Sequence, residues 1–121
     1  MNYIVLDLEW NQPLSADRTI RKPVSLHGEI IQIGAVMLDE NFGVSDTCKL
    51  MIKPKFYTRM HWSVSKLTRI KNIDLTCGLD FPTAMGCFRE WCGKEFVWMT
   101  WGPDDIGILR DNLLLHHMET N

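Results

Sequence analysis

The chain has 121 residues, 45% of them hydrophobic and 23% charged, with a formal net charge of −2. That length suits one domain with a single core, and the charge excludes a global positive field for nucleic acid, so any phosphate-binding surface must be local or built by bound cations. No apolar run approaches the roughly 18 residues of a membrane span, and Met1-Asn2-Tyr3 lacks the basic start of a secretory leader, so a cytoplasmic protein with no membrane partner is expected.

Tyr3 to Glu9 reads as a strand, with Ile4, Val5, Leu6 and Leu8 apolar and no helix cap before it. Asn11 to His27 is polar, interrupted by Pro13 and Pro23, and reads as a loop carrying Arg18, Arg21 and Lys22. Glu29 to Leu38 is a second strand, rich in Ile30, Ile31, Ile33 and Val36. Asp39 to Gly43 is a turn in which Gly43 can supply a positive φ. A third strand is expected from Cys48 to Lys53, ended by Pro54, and the short connection favours an antiparallel meander.

The second half changes character. Ser63 to Ile70 reads as a short helix with Ser63 as N-cap. Pro82 to Cys92 reads as a longer one, with Phe81, Met85, Phe88 and Trp91 as its apolar stripe and Gly93 as terminator. Phe96 to Trp101 is expected to be a buried strand. After Gly102-Pro103, Asp104 to His117 reads as a helix whose first-turn acids suit the positive end of its dipole. The order is β-β-β-α-α-β-α. Cys48, Cys77, Cys87 and Cys92 form no C-x-x-C pair or zinc spacing, and are expected as free thiols.

Asp7 and Glu9 lie two apart in an apolar strand and so project from one face, with Cα atoms about 6.5–7 Å apart. Like charges that close disfavour each other. A hard divalent cation removes the conflict, because Mg²⁺ and Mn²⁺ prefer carboxylate oxygens. The plainer alternative is an edge strand with both acids in water, against which stand the apolar neighbours on both faces. Asp105 follows a strand-to-helix junction, where ligands of α/β folds gather. It can reach a metal held by a neighbouring strand, or it and Asp104 can simply cap the helix.

Together these segments resemble the DEDD 3′→5′ exonuclease family, of ribonuclease H-like fold. Tyr3-Ile4-Val5-Leu6-Asp7-Leu8-Glu9-Trp10 looks like its first motif, a strand ending in D-x-E. Glu29 to Val36 resembles the strand that follows it. Trp101-Gly102 followed by Asp105, Ile108 and Leu109 resembles the second motif. The nearest likeness is to the KapD-like and histone-mRNA-exonuclease branch, and it covers nearly the whole chain in order.

The resemblance implies an α/β fold with a mixed sheet that starts as a three-strand meander and carries helices packed on it. It implies two divalent cations, Mg²⁺ or Mn²⁺, held in part by Asp7, Glu9 and Asp105, which would be catalytic. Leu8, Trp10 and Trp101 would contact substrate, the 3′ end of RNA or single-stranded DNA, released as nucleoside monophosphates. Trp10 either stacks on the terminal base or packs under the following loop; Met60, His61 and Trp62 are further substrate contacts by fold analogy.

Two departures stand out. The family's third motif, H-x-x-x-x-D, is absent; His116 and His117 sit about three turns beyond Asp105, roughly 17 Å along a helix, and are poor substitutes for its histidine. The family's T-G-I stretch reads Thr68-Arg69-Ile70, without the glycine. Residues 1–121 are therefore expected to be one exonuclease domain with its C-terminal part missing, binding metal weakly and cleaving little. Trp91, Trp98, Leu113, Leu114 and Leu115 are expected to be incompletely buried, and the chain to self-associate. The rival readings are a non-catalytic nucleic-acid-binding or protein-interaction module that keeps the fold, and a proofreading exonuclease beside a DNA polymerase.

Overall fold

The computed structural model describes residues 1–100 and 102–120. Its elements are β1 (Asn2–Asn11), a 3₁₀ turn (Ala16–Arg18), β2 (Glu29–Leu38), β3 (Val44–Met51), α1 (Trp62–Thr68), α2 (Asn72–Leu75), α3 (Phe81–Cys92), β4 (Phe96–Thr100) and α4 (Asp105–Leu115). The four strands form one sheet in the order β3-β2-β1-β4. β1, β2 and β3 are successively antiparallel, and β4 joins β1 in parallel. β1 is thus an interior strand, and the solvated-edge alternative for its acids does not apply.

Alternation along β1 divides the molecule into two layers. Ile4, Leu6 and Leu8 face α3 and α4, where they pack with Phe81, Met85, Phe88, Leu109 and Leu113 in the main core. Tyr3, Val5, Asp7 and Glu9 take the other face. β2 does not follow the same simple alternation. Its ladder with β1 pairs Glu9 with Gln32 and Trp10 with Ile30, leaving Ile31 as the extra residue of a bulge. The bulge lets Ile30 and Ile33 enter the main core while Ile31 turns to a second cluster with Met60, Val64, Ile70 and Leu75. Three fully buried isoleucines so close together require this break in the period of two.

Several boundaries differ from the sequence expectation. β3 starts at Val44, not Cys48, because Val44, Asp46 and Thr47 pair with β2 although residues 44–47 are exposed and the polar run 45–47 hides the strand. The turn before it places Phe42, not Gly43, at positive φ (63°), with the Asp39 carboxylate accepting the N–H groups of Asn41 and Gly43. The N-cap of α1 is His61, not Ser63: its Nδ1 accepts the Ser63 N–H at 3.2 Å. α3 begins at Phe81 behind Asp80, whose carboxylate accepts the Thr83 N–H, and it ends at Gly93 with φ 79°.

β4 is not a buried strand. It lies at the margin of the sheet, and Val97 and Met99 are 42% and 44% exposed while their neighbours pack inward. α4 stops at Leu115, so His116 and His117 are not on it, and His117 adopts φ 57°. Leu113 and Leu115 are buried, against expectation, since α4 lays them on the sheet and on the loop around Leu26 and Tyr57. Leu114, Trp91 and Trp98 are partly buried. Arg69 occupies the family's glycine position yet takes φ 63° as the C-cap of α1. A left-handed non-glycine residue costs roughly 1–2 kcal/mol; nearby, the Ser65 hydroxyl donates to the Ile70 carbonyl at 2.7 Å. The four cysteines are free. Among the described residues no helix is long and apolar enough to cross a membrane.

Candidate active site

The end of β1 is where the candidate residues meet, and the reason is a difference in strand length. β4 pairs with β1 only from Asn2 to Leu6. Even-numbered N–H groups of β1 point toward β4, as the bond from Asn2 N to Glu95 O shows. At Leu8 the partner strand has ended, so the N–H needs another acceptor. The chain leaves β4, turns through Gly102-Pro103, and enters α4 with Asp105 in its first turn. Asp105 Oδ2 accepts the Leu8 N–H at 3.1 Å in a buried contact. Its carboxylate is thus held against the residue between Asp7 and Glu9.

Neither aspartate caps α4 with its side chain: Asp104 is the N-cap residue but makes no side-chain cap bond, and Asp105 reaches across to β1. Exposure grades across the trio: Asp105 is buried, Glu9 half-buried and Asp7 exposed. Burial pushes the Glu9 carboxyl above the ordinary glutamate range, and the charges of Asp7 and Asp105 push it further in the same direction. No ion pair engages any of the three among the described residues. Three carboxylates, two of which crowd Glu9 with like charge, have no ion-pair partner among the described residues and match the charge requirement of a hard divalent cation. Side-chain positions do not complete a cage: among the described residues no group of three or more His, Cys, Asp or Glu side chains is arranged to hold a metal ion.

Asn112, two turns along α4 from Asp105, secures the helix at a second point. It is 1% exposed; its Oδ1 accepts the Ile30 N–H and its Nδ2 donates to the Gly28 and Ile108 carbonyls. Asp105 on β1 and Asn112 on β2 fix α4 in register over the bulge. Asn112 does not stand out as a site residue in the sequence, although an amide inside the Leu109–Leu113 stripe is a usable signal. Nor does Asn11 stand out. It is fully buried, donates to the Tyr57 and Arg59 carbonyls and accepts the His61 N–H, bringing the entry to α1 up to the end of β1.

The expected substrate contacts fare differently. The Leu8 side chain is 3% exposed in the main core, so what it offers the site is its backbone N–H. Trp10 lies against Gly28, with no room for a side chain there, so it packs under the loop that leads into β2. Trp101 lies outside the described residues. Met60 is buried, whereas Trp62 is 73% exposed and stacks on His61 with ring centroids 5.9 Å apart. His116 is stacked on Phe81 at 4.8 Å, and burial lowers its pKa, which favours the neutral ring.

No family model matches the sequence, and no curated protein matches it. Solved structures do. The nuclease domain of 3′hExo, a DEDDh family member bound to rAMP, superposes with a TM-score of 0.81 at 18% identity, over 99% of this chain and 62% of that one. The chain has the nuclease-domain fold of a DEDDh exonuclease. Cell-death related nuclease 4 (CRN-4) shares this fold with a TM-score of 0.78 at 19% identity, over 97% of this chain and 40% of that one. E. coli Exonuclease I in complex with a dT13 oligonucleotide gives 0.68 at 10% identity, over 98% of this chain and 25% of that one. The chain therefore spans less than two thirds of each of these proteins.

Proposed function

We propose that residues 1–121 are an exonuclease domain that hydrolyses phosphodiester bonds from the 3′ end of RNA or single-stranded DNA, releasing nucleoside monophosphates with two divalent cations, Mg²⁺ or Mn²⁺. One observation carries the reading: the buried Asp105 carboxylate bonded to the Leu8 N–H, between Asp7 and Glu9, in a setting without basic partners. Asp7, Glu9 and Asp105 would hold the cations, which when bound supply an activated water and stabilise the leaving 3′ oxygen. The chain's own residues supply position. β1 presents Asp7 and Glu9 from one face, the Leu8 N–H orients Asp105, and Asn112 prevents α4 from carrying Asp105 away. His116, stacked on Phe81 beyond the end of α4, supplies no proton acceptor to the acid cluster.

The test is titration calorimetry with Mn²⁺, beside digestion of a 5′-labelled single strand. Wild type should bind Mn²⁺ and shorten the strand from its 3′ end; Asp7→Ala should do neither. Binding of nucleic acid without any Mn²⁺ response would instead support a non-catalytic module. That second reading draws on the incomplete donor cage and on the Asp105 oxygen already occupied by a backbone donor.

A further inference from the structure

On the open face of the sheet, three partner rows run across β1, β2 and β3. Val5 pairs with Val36 and then Thr47; Asp7 with Gly34 and then Lys49; Glu9 with Gln32 and then Met51. Directly paired residues share a face, so each row is a line of neighbouring side chains. The middle row has a gap, because Gly34 has no side chain. Asp7 and Lys49 therefore face each other across two strand spacings, about 10 Å, over a bare backbone floor. A Cβ at Gly34 would meet Asp7 O only at 3.4 Å, an ordinary contact. Backbone packing thus leaves room for a side chain there, and glycine keeps the floor open.

The result is a hollow of about 460 Å³ lined by Val5, Asp7, Gln32, Gly34, Thr47 and Lys49. A second hollow of about 570 Å³ shares Gln32 and Lys49 and continues to Thr68 and Arg69. The two adjoin at Gln32 and Lys49, and together they form a trough that runs from Asp7 toward the loop between α1 and α2. Gln32 reaches across to β3, its Nε2 donating to Met51 Sδ at 3.4 Å. Lys49 is exposed and makes no ion pair among the described residues. Asp74, the acid at the far end, has its carboxylate turned to the Lys71 N–H at 2.8 Å.

We propose that this trough holds the sugar–phosphate backbone of the single strand whose 3′ end lies at Asp7, Glu9 and Asp105, with Lys49 as the phosphate anchor, Gly34 as the open floor, and Arg69 as a second cation further along. The assignment rests on the exonuclease reading and adds to it the path of the chain leading away from the cleaved bond. A chain of net charge −2 has no general attraction for phosphate, so a lysine facing an acid site across an empty floor matters more here than in a basic protein. An extended, open trough suits a polymer backbone better than a compact anion.

Fluorescence anisotropy of a 5′-fluorescein oligothymidine and its oligouridine counterpart, in Ca²⁺, tests this with the whole 121-residue chain. Lys49→Gln should weaken binding about 5-fold and reduce the slope of log K against log salt by about 0.7, the value for one lost phosphate contact on a single strand. Lys49→Glu should weaken it more than about 10-fold. Gly34→Leu, which fills the floor, should weaken it several-fold. Lys94→Gln, on the exposed turn after α3, should match wild type. Wild-type affinity and salt slope in both Lys49 variants would overturn the trough and leave the exonuclease reading standing. Failure of wild type to bind either strand while Mn²⁺ still binds would overturn both. Lys49 is a surface residue, so its variants should melt with wild type and a loss of binding is not a loss of fold.

Discussion

Two glutamates on neighbouring strands show how one side chain serves opposite ends. Glu29 opens β2 and is 3% exposed. Its carboxylate accepts the N–H groups of Lys55, Phe56 and Tyr57 at 2.8, 3.1 and 2.6 Å. Burial pushes its pKa up, and those donors pull part of the way back. Glu9, near the end of β1, is less buried, accepts no N–H among the hydrogen bonds of the described residues, and has two further carboxylates raising its pKa. A buried acid whose oxygens are filled by backbone donors is part of the frame. An acid left short of donors and crowded by like charge is in want of a cation.

That contrast can be broken most forcefully at the frame. Glu29→Ala strands three backbone donors and should cost about 4 kcal/mol, read as a drop in urea midpoint, while refolded protein retains its Mn²⁺ affinity. Loss of Mn²⁺ binding at unchanged stability would put Glu29 in the site instead. Asp7→Ala should do the reverse: Mn²⁺ affinity falls at least ~100-fold, beyond the range typical of groups that only support a metal ligand, with little change in melting. Asn112→Ala bears on both regions, because it leaves Ile30 N–H and Gly28 C=O without partners. About 2 kcal/mol of stability should go, and Mn²⁺ affinity should fall with it as Asp105 loses its register.

pH sharpens the comparison. Glu9 and Glu29 both have raised folded-state pKa values. Their protonated forms favour the fold, so the metal-free melting temperature should decline as pH rises from the ordinary glutamate range, ~4.3, through the raised values. Glu9→Gln should remove the share of that slope which added Mn²⁺ also removes; Glu29→Gln should remove a share that Mn²⁺ leaves in place. A slope indifferent to Mn²⁺ would sink the distinction. The smallest effect is expected at the start of the loop that borders the trough. Arg69→Gly relieves a left-handed residue and should raise stability by about 1 kcal/mol, while giving up one cation of the proposed phosphate path.

Much of this could be read from local pattern. β2 is legible residue for residue, Glu29 to Leu38, because a run of β-branched side chains announces a strand without help. α3 is nearly as clear, through its apolar spacing of three and four residues and the proline and glycine at its ends. The start of β3 is not, because Ser45, Asp46 and Thr47 are exposed and the strand there comes from the pairing of Val44, Asp46 and Thr47 with β2. β4 reads as buried for the matching reason: its apolar residues look interior, and only the structure shows it at the margin of the sheet with Val97 and Met99 exposed. Arg69 shows that a missing glycine does not forbid a left-handed residue when surrounding contacts demand one.

From its residues alone the chain determines its strands, its longer helices, and which acids share a face, since these follow from periods of two and 3.6 and from the chemistry of turns. Tertiary structure alone decides that β1 outruns β4 and thereby leaves the Leu8 N–H for Asp105, that Trp10 serves packing under Gly28, and that Lys49 stands opposite Asp7 over a bare floor. Those are facts of register between segments far apart in the chain, and register is set by the competition of many weak contacts that no single segment contains.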